Sequence, residues 1–300
     1  MIIINIYNAA PDFYLQSAAI KNICEKYKSV RRRIIGKSLC GRAITALCIG
    51  KPERPVLYAA TFHGMEWLNT LFMLTFTEEC ADAYEKGETV EGVDVRAVLQ
   101  KRGLAIVPCV NPDGVEIQLN GSNSCPLYKK QIDCITDNTR IWQANARGVD
   151  LNHNFNAGWH ALRKQEMEMG ITAPAPTRYG GEKPFSEPET IALRNFCMRN
   201  RVCYAIAFHS QGREVYCTYG CTPECAFVLG KTFAELADYR LALPEGIASV
   251  GGGFKDWLIS YLKTPAITVE TGEGKNPLPL SDYKSEYNRI RKALFACLDI

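Results

Sequence analysis

The chain has 300 residues, of which 47% are hydrophobic and 22% charged, and its net charge is +3. That is ordinary globular composition, at a length that suits one large α/β domain with a core of normal size and no staples. The near-neutral balance excludes a nucleic-acid footprint, which would show basic clustering, and no apolar stretch approaches the ~20 residues of a membrane span.

The N-terminus, Met1-Ile2-Ile3-Ile4-Asn5-Ile6-Tyr7, has no positive region before its apolar residues, and Asn5 and Asn8 interrupt the run. Ala9-Ala10-Pro11 is a poor cleavage site, so no signal peptide is expected, and the protein is expected in the cytoplasm. Residues 11–28 place Phe13, Tyr14, Leu15, Ala18, Ile20, Ile23 and Cys24 at helical period. Arg31-Arg32-Arg33, the only dense basic run, reads as the solvated start of a strand over 30–35. Gly36 and Gly41 bracket a turn into a second strand over 43–50, and the apolar run 55–60 reads as a buried third. Then comes Thr61-Phe62-His63-Gly64-Met65-Glu66-Trp67.

Residues 68–84 start apolar all round, as a buried helix against a sheet does. A helix is expected over 90–100. The run 104–110 reads as a central strand, with Asn111-Pro112-Asp113-Gly114 as its turn. The polar stretch 117–140 reads as a long loop over the site. A helix over 187–200 has Ser186 as N-cap and Glu189 at the capping-box position. Residues 202–208 form a buried strand ending at His209, and a further strand spans 214–219. Helices follow over 225–239 and 255–262, then a last core strand, 265–269, ending at Glu270, and a helix over 280–298. This alternation predicts a mixed, mostly parallel central sheet with helices on both faces. Without a linker or an internal repeat, residues 1–300 are expected to be one catalytic domain.

Thirteen cysteines, an odd count without paired spacing, fit a reducing compartment. Cys48, Cys109 and Cys203 sit in apolar runs as small hydrophobes. Cys217, Cys221 and Cys225 recur every four residues, but Gly220, Thr222 and Pro223 form a loop between them and no His or fourth Cys lies near, which disfavours a structural zinc.

His63 and Glu66 follow a strand end and can point at one centre. Imidazole nitrogen and carboxylate oxygen are two of the ligand types that Zn²⁺ takes, and a catalytic zinc needs a third. A helix N-terminus whose Glu complements the dipole would carry the same two residues. Distant residues decide. His209 and Glu270 end two other strands, and open α/β sheets place their ligands in the crevice beyond strand ends.

The chain resembles the zinc carboxypeptidase-fold metallopeptidases. His63-x-x-Glu66 matches their paired ligand motif, Ala207-Phe208-His209-Ser210 the third ligand, and Thr268-Val269-Glu270 the strand of the catalytic glutamate. Val110 to Gly114, Gly148 to Phe155 and Pro184 to Glu189 match three further blocks in the family's order. Within the family, the stretches Ala144 to Trp159, Gly252 to Trp257 and Gly274 to Pro279 are similar to the bacterial γ-D-glutamyl-(L)-meso-diaminopimelate endopeptidases, which cut peptidoglycan stem peptides. The resemblance implies one Zn²⁺ per chain on His63, Glu66 and His209, with Glu270 taking and returning a proton. It places Asp150 where the family hydrogen-bonds a ligand histidine; a plain turn or cap would also suit an Asp.

The sequence departs from the family in places. Where ordinary carboxypeptidases carry Asn-Arg to clamp the terminal carboxylate, this chain has Asn152-His153; imidazole is not a bidentate, permanently charged clamp. The family's oxyanion Arg aligns with Gln143, with Arg140 or Arg147 as candidates to reach in. Near the position of the mobile Tyr stands only Ala248-Ser249-Val250-Gly251-Gly252-Gly253, and Tyr261 is expected in the core. Lys255, near the specificity position, would suit an acidic substrate group or lie solvated at a helix start; Arg178 and Lys275 have similar standing. The expected activity is zinc-dependent cleavage of a γ-D-glutamyl–diaminopimelate bond in muropeptides. A carboxypeptidase for peptide C-termini is the second reading, and a non-catalytic peptide-binding protein on the same fold the third.

Overall fold

A strand covered on both faces must be apolar along its whole length, and the runs that read that way form the middle of the sheet. The structure, a computed structural model, describes residues 8–300; residues 1–7, which bear on a signal peptide, lie outside the described residues. The strands are β1 (Arg31–Lys37), β2 (Ala43–Ile49), β3 (Val56–Ala60), β4 (Thr89–Val90), β5 (Val93–Asp94), β6 (Leu104–Val107), β7 (Ala205–His209), β8 (Glu214–Tyr216), β9 (Arg240–Ala242) and β10 (Ala266–Glu270). Eight of them form one sheet in the order β1-β2-β6-β3-β7-β10-β8-β9, and β4 and β5 make a separate hairpin. The central four, β6-β3-β7-β10, run parallel. Antiparallel β1 and β2 extend one side, and β8 joins β10 antiparallel on the other.

The helices are α1 (Phe13–Lys26), α2 (Leu68–Lys86), α3 (Val95–Lys101), α4 (Pro112–Asn120), α5 (Lys129–Ile135), α6 (Trp159–Glu168), α7 (Pro188–Asn200), α8 (Glu224–Ala237), α9 (Phe254–Trp257) and α10 (Tyr283–Ala296). Strand residues alternate between two cores, as a two-residue period requires. Val56, Tyr58, Ile206 and Phe208 join α1, α2, α8 and α10 on one face. Leu57, Ala59, Ala205 and Ala207 join α7 and α9 on the other, among Leu193, Phe196, Phe254 and Trp257. Tyr58 stacks on Phe76 at 5.5 Å and donates its hydroxyl to the Leu294 carbonyl at 2.9 Å, so even the buried phenol has a partner. None of the helices among the described residues is long and apolar enough to cross a membrane.

The expected mixed sheet with helices on both faces is what forms, and Arg31, Arg32 and Arg33 open β1 exposed. Local differences have local causes. The expected helix over 90–100 begins only at Val95, where the Asp94 carboxylate caps it; a short hairpin precedes it. The central strand stops at Val107, and Asn111 is not a strand turn but the N-cap of α4, with Pro112 in the first turn. The polar stretch 117–140 is not one long loop: it contains the end of α4 and all of α5, and buries Ile117, Cys125 and Ile132 against Trp142. Ser186 does not cap α7; Glu187 takes that place, and the Ser186 hydroxyl bonds Asn154 and Glu187 instead. After α9 the chain continues as one π turn, Leu258–Leu262, and Tyr261 is 62% exposed, stacked on Trp257 rather than placed in the core. Helix α6 is an addition to the expected elements; it buries Trp159, Leu162 and Glu166.

Fully buried Asn111 fastens three segments. Its amide donates to the carbonyls of Phe62, Gln143 and Ala144 and its oxygen accepts the Gly114 N–H. Asn111→Ala would leave these buried groups unpaired, and a loss of roughly 2–4 kcal/mol is expected; urea denaturation of the variant checks it.

A second polar knot ties the start of α7 to the loop that carries Asn145, before α6. Asn145 donates to Glu187 (2.7 Å) and Glu189 (3.3 Å), and the Leu39 N–H donates to Glu189. Burial, then the Asp113 and Glu187 carboxylates, push Glu189 up to about 8 from 4.5. The folded chain therefore holds a proton there that the unfolded chain has released. Its contribution is complete below about pH 4.5 and is lost as pH rises toward 8, at up to about 1.4 kcal/mol per pH unit. Glu189→Gln keeps the outline of the neutral acid, so its stability relative to the parent should climb between pH 5 and 8. Denaturation midpoints measured across that range should diverge; parallel curves would be the contrary result.

Candidate active site

Three strands of the parallel core end at one place. β3 leads through Thr61 and Phe62 to His63, which starts the single turn Gly64–Glu66. That turn needs glycine: a Cβ on Gly64 would stand 2.2 Å from the Gly114 carbonyl oxygen and 2.9 Å from that of Trp142. The backbone of His63-Gly64-Met65 is thereby pressed onto the start of α4. β7 ends at His209 and β10 at Glu270, and these two are register partners. The Phe62 ring stacks on His209 with centroids 4.9 Å apart.

The ring nitrogens converge. His63 Nδ1 lies 2.8 Å from Glu66 Oε1 and 3.3 Å from His209 Nδ1, which lies 3.2 Å from Glu66 Oε2. A tetrahedral ion with bonds of 2.0–2.1 Å separates its ligands by about 3.3 Å, so the trio has the spacing of three zinc ligands. Its chemistry agrees. Two imidazole nitrogens face each other beside a buried carboxylate, and the His63 Nε2–H is fixed by Asp150 Oδ1 at 3.0 Å, which turns the Nδ1 lone pair to the centre. His209 Nε2 is buried without a partner among the described residues. The three residues can hold a metal ion.

Burial works against a proton on His63, yet Glu66 and Asp150 outweigh it and hold the imidazole well above its ordinary value. Glu270 shows the opposite case. Burial first, then the nearby Glu66 and Glu214 carboxylates, push it well above the usual carboxylate range against the pull of His63. Asp150 is held below that range: His63, His153 and the Arg178 N–H overcome its burial.

A cleft of about 540 Å³ opens over this centre, lined in part by Gln143, Asn152, His153, Lys255 and Glu270. Asn152 Oδ1 accepts the Phe254 N–H at 3.0 Å, which ties its loop to α9. His153 Nδ1 donates to the fully buried Glu166 at 2.7 Å, and Glu166 also takes Arg163 and the Gly180 N–H. Gln143 accepts from Thr177, and its carbonyl accepts the Gly64 N–H. Lys255 is not a solvated lysine at a helix start. It is 6% exposed and donates to the Thr218 carbonyl at 2.7 Å and to Asp256.

Other expected residues lie elsewhere. Arg147 points away from the cleft toward Glu187, 3.3 Å off, and neither it nor Arg140 or Arg178 lines the cleft. Lys275 does line it, as do Ala248, Gly251 and Gly253 of the glycine run. Sequence reading missed Glu166, Tyr216 and Asn276. Tyr216 stands in the cleft wall with its hydroxyl on Glu214, and Asn276 exchanges hydrogen bonds with Ser210 at 2.9 and 2.6 Å. Cys221 and Cys225 are exposed and Cys217 is buried, and the metal-capable clusters among the described residues do not include them.

A centre of two histidines and a glutamate at strand ends, with a further glutamate facing it, is the arrangement of a zinc hydrolase. The pattern of the zinc carboxypeptidases, peptidase M14, matches residues 17–292, and the chain belongs to this family of zinc metallopeptidases. It is 31% identical over 280 residues to the gamma-D-glutamyl-L-diamino acid endopeptidase 1 of Lysinibacillus sphaericus, covering 92% of this chain and 69% of that protein. It is 29% identical to human carboxypeptidase B over 74% of this chain and 49% of the relative. Among solved structures, bovine thrombin-activatable fibrinolysis inhibitor superposes with a TM-score of 0.75 at 20% identity, over 97% of both chains. The murein-tripeptide amidase of Escherichia coli O157 gives 0.52 at 22% identity, over 90% of this chain and 92% of that one. These likenesses show the shared fold.

Both Asp150 oxygens accept: Oδ1 from His63, Oδ2 from the Arg178 N–H at 3.0 Å. An amide would set a donor against a donor at one of them. Asp150→Asn should therefore weaken zinc binding about 10–100-fold, as measured by competition with a chromogenic chelator. Unchanged affinity would make Asp150 a cap alone.

Proposed function

We propose that this metallopeptidase hydrolyses the γ-D-glutamyl–diamino acid bond of peptidoglycan stem peptides, with meso-diaminopimelate on the leaving side. In this reading residues 1–300 act as one catalytic domain on cytoplasmic muropeptides, with His63, Glu66 and His209 as ligands. When bound there, zinc supplies a Lewis acid that makes water nucleophilic near neutral pH. Glu270, on the strand beside His209, takes a proton on its carboxylate and returns it to the leaving amine. Its raised proton affinity suits the second half of that task. Asp150 orients His63 and preserves the nitrogen that faces the centre. Gln143 lines the cleft with its side-chain oxygen held by Thr177, and its amide nitrogen is the neutral donor for negative charge on the reacting oxygen.

The observation that supports this substrate is the pair of basic side chains, His153 and Lys255, on this cleft. Burial opposes a charge on His153, but Asp150 and Glu166 outweigh it and raise its pKa. With Nδ1 committed to Glu166, the other ring nitrogen is without a protein partner among the described residues. Lys255 and Asn152 line the same cleft, the Lys255 ammonium already paired with Asp256. A stem peptide presents the α-carboxylate of γ-linked glutamate and those of diaminopimelate, and basic side chains with donors toward a cleft suit such a ligand. The likeness to the Lysinibacillus endopeptidase supports the same bond. Cleavage at ordinary peptide C-termini is the second reading, favoured by the likeness to carboxypeptidase B.

Zinc-loaded enzyme given L-Ala-γ-D-Glu-meso-diaminopimelate should release the diamino acid, followed by mass, and should leave hippuryl dipeptides nearly untouched. The reverse preference would reject the proposed substrate in favour of the second reading. Glu270→Gln should lower turnover by about 10²–10⁴-fold or more with zinc stoichiometry unchanged. Retained turnover would remove Glu270 from the mechanism.

A further inference from the structure

Two cysteines far apart in sequence meet beside the first turn of α4. Cys40 lies in the turn between β1 and β2, and Cys125 in the loop before α5. Their sulfurs and an oxygen of Asp113 lie within 4.8 Å of one another. Such a trio invites a cation, but the charge already present opposes one. Asp113 Oδ1 accepts from Ser38 at 2.7 Å and Arg42 at 2.6 Å, and Oδ2 accepts the Cys40 N–H at 2.8 Å. The same Arg42 guanidinium points at Cys125 Sγ, 3.4 Å away, and is anchored by the Ser124 carbonyl at 2.7 Å. A metal ion would sit against a half-buried guanidinium whose carboxylate partner is fully engaged. A guanidinium favours instead a negative charge on the sulfurs.

We propose that Cys40 and Cys125 are an oxidant-sensitive dithiol that peroxide closes into one intramolecular disulfide. Sulfurs within 4.8 Å have at most about 2.8 Å to close to the bonded length, and Cys40 sits at the tip of the turn between β1 and β2, next to Gly41 with its positive φ of 80°. Cys40 is partly exposed and Cys125 fully buried, which sets the order of events. The pair shares a proton: hydrogen bonding to Cys125 raises the Cys40 pKa, while Cys40 lowers that of Cys125 against its burial, with Arg42 assisting. Peroxide reaches the partly exposed Cys40, which passes its proton to Cys125 as its sulfur attacks. A sulfur–oxygen bond forms, the oxygen–oxygen bond breaks, and hydroxide leaves to become water with a solvent proton. Cys125 then attacks the Cys40 sulfenic acid; the sulfur–sulfur bond forms, and the oxygen departs as water with the Cys125 proton. Two thiols and one peroxide give one disulfide and two waters. The new link joins positions 40 and 125 directly, closing a long loop that includes β2, β3 and the metal-ligand turn.

The test uses full-length, zinc-loaded, reduced protein titrated with hydrogen peroxide. It is then denatured, alkylated with iodoacetamide and digested without reductant. The peptides carrying Cys40 and Cys125 should appear joined, two hydrogens lighter, at a lower dose than any other intramolecular bridge. The melting temperature should rise by several degrees, and dithiothreitol should reverse both changes. In Cys125→Ser the bridge should vanish, and dimedone should trap Cys40 as its sulfenic acid. The proposal is overturned if exposed Cys134, Cys221 and Cys225 are oxidised while Cys40 and Cys125 remain fully alkylated. It is equally overturned if the reduced protein binds a second equivalent of zinc that both Cys40→Ser and Cys125→Ser lose.

Discussion

Two imidazole nitrogens 3.3 Å apart, with a buried carboxylate against both, are a poor arrangement without a cation and a good one around it. The architecture serves that convergence. Parallel pairing of β3, β7 and β10 fixes which residues reach the edge together, because the registers Ala60↔Phe208 and Glu270↔His209 leave no freedom to slip. A shift of one residue would turn His209 and Glu270 to the opposite face and exchange the two cores. Packing of the alternating strand residues into those cores therefore specifies the position of the ligands. The hydrophobic interior and the polar site are set by one pairing.

The support is polar as well. Phe62, Gly64, Gln143 and Ala144 are joined through Asn111 and the Gly64–Gln143 bond, so the turn that carries two ligands rests on α4 and on the loop that carries Gln143. That loop is held in turn by Asn145 on Glu187 and Glu189. Buried amides with every bond satisfied confer rigidity that apolar contact alone does not, because each alternative geometry leaves a group unpaired. The site thus stands on a connected shell whose members are mostly distant from the metal ligands in sequence.

Much of this was legible in the sequence, and the reasons are physical. Strands covered on both sides read as apolar runs with sharp ends, so β3, β7 and β10 and the residues closing them, His63, His209 and Glu270, stood out. Helices α4 and α5 did not, since their apolar residues are few and divided: Ile117 and Ile132 enter a small separate cluster around Trp142, whereas Val115 joins the main core. Ser186 looked like a cap because a cap needs only residue type and spacing, whereas Asn154 engages its hydroxyl from 32 residues away. Arg147 looked available to the cleft for the same reason: its direction toward Glu187 depends on how the 143–150 loop folds back. Glu166 was silent because α6 places it among Arg163, Lys164, Gln165 and Glu168, where a carboxylate reads as solvated. Only the fold turns that one residue inward to His153.

The charges of the centre also explain why its parts cannot be valued singly. The Glu66 and Asp150 carboxylates raise the proton affinity of His63 against its burial, and burial followed by Glu66 and Glu214 raises that of Glu270. A divalent cation held by His63, Glu66 and His209 would supply positive charge here, under which His63 would give up its proton and Glu270 would favour its ionised form. The burial that makes Glu270 a reluctant carboxylate then opposes the pull of the cation. A base caught between those two effects is poised to accept and release a proton in turn, which neither burial nor the cation alone would achieve. His153 lies just beyond, its proton affinity raised by Asp150 and Glu166 against its burial. The carboxylate that orients His63 thus also favours a proton on a histidine lining the cleft, so that Asp150 links the two imidazoles.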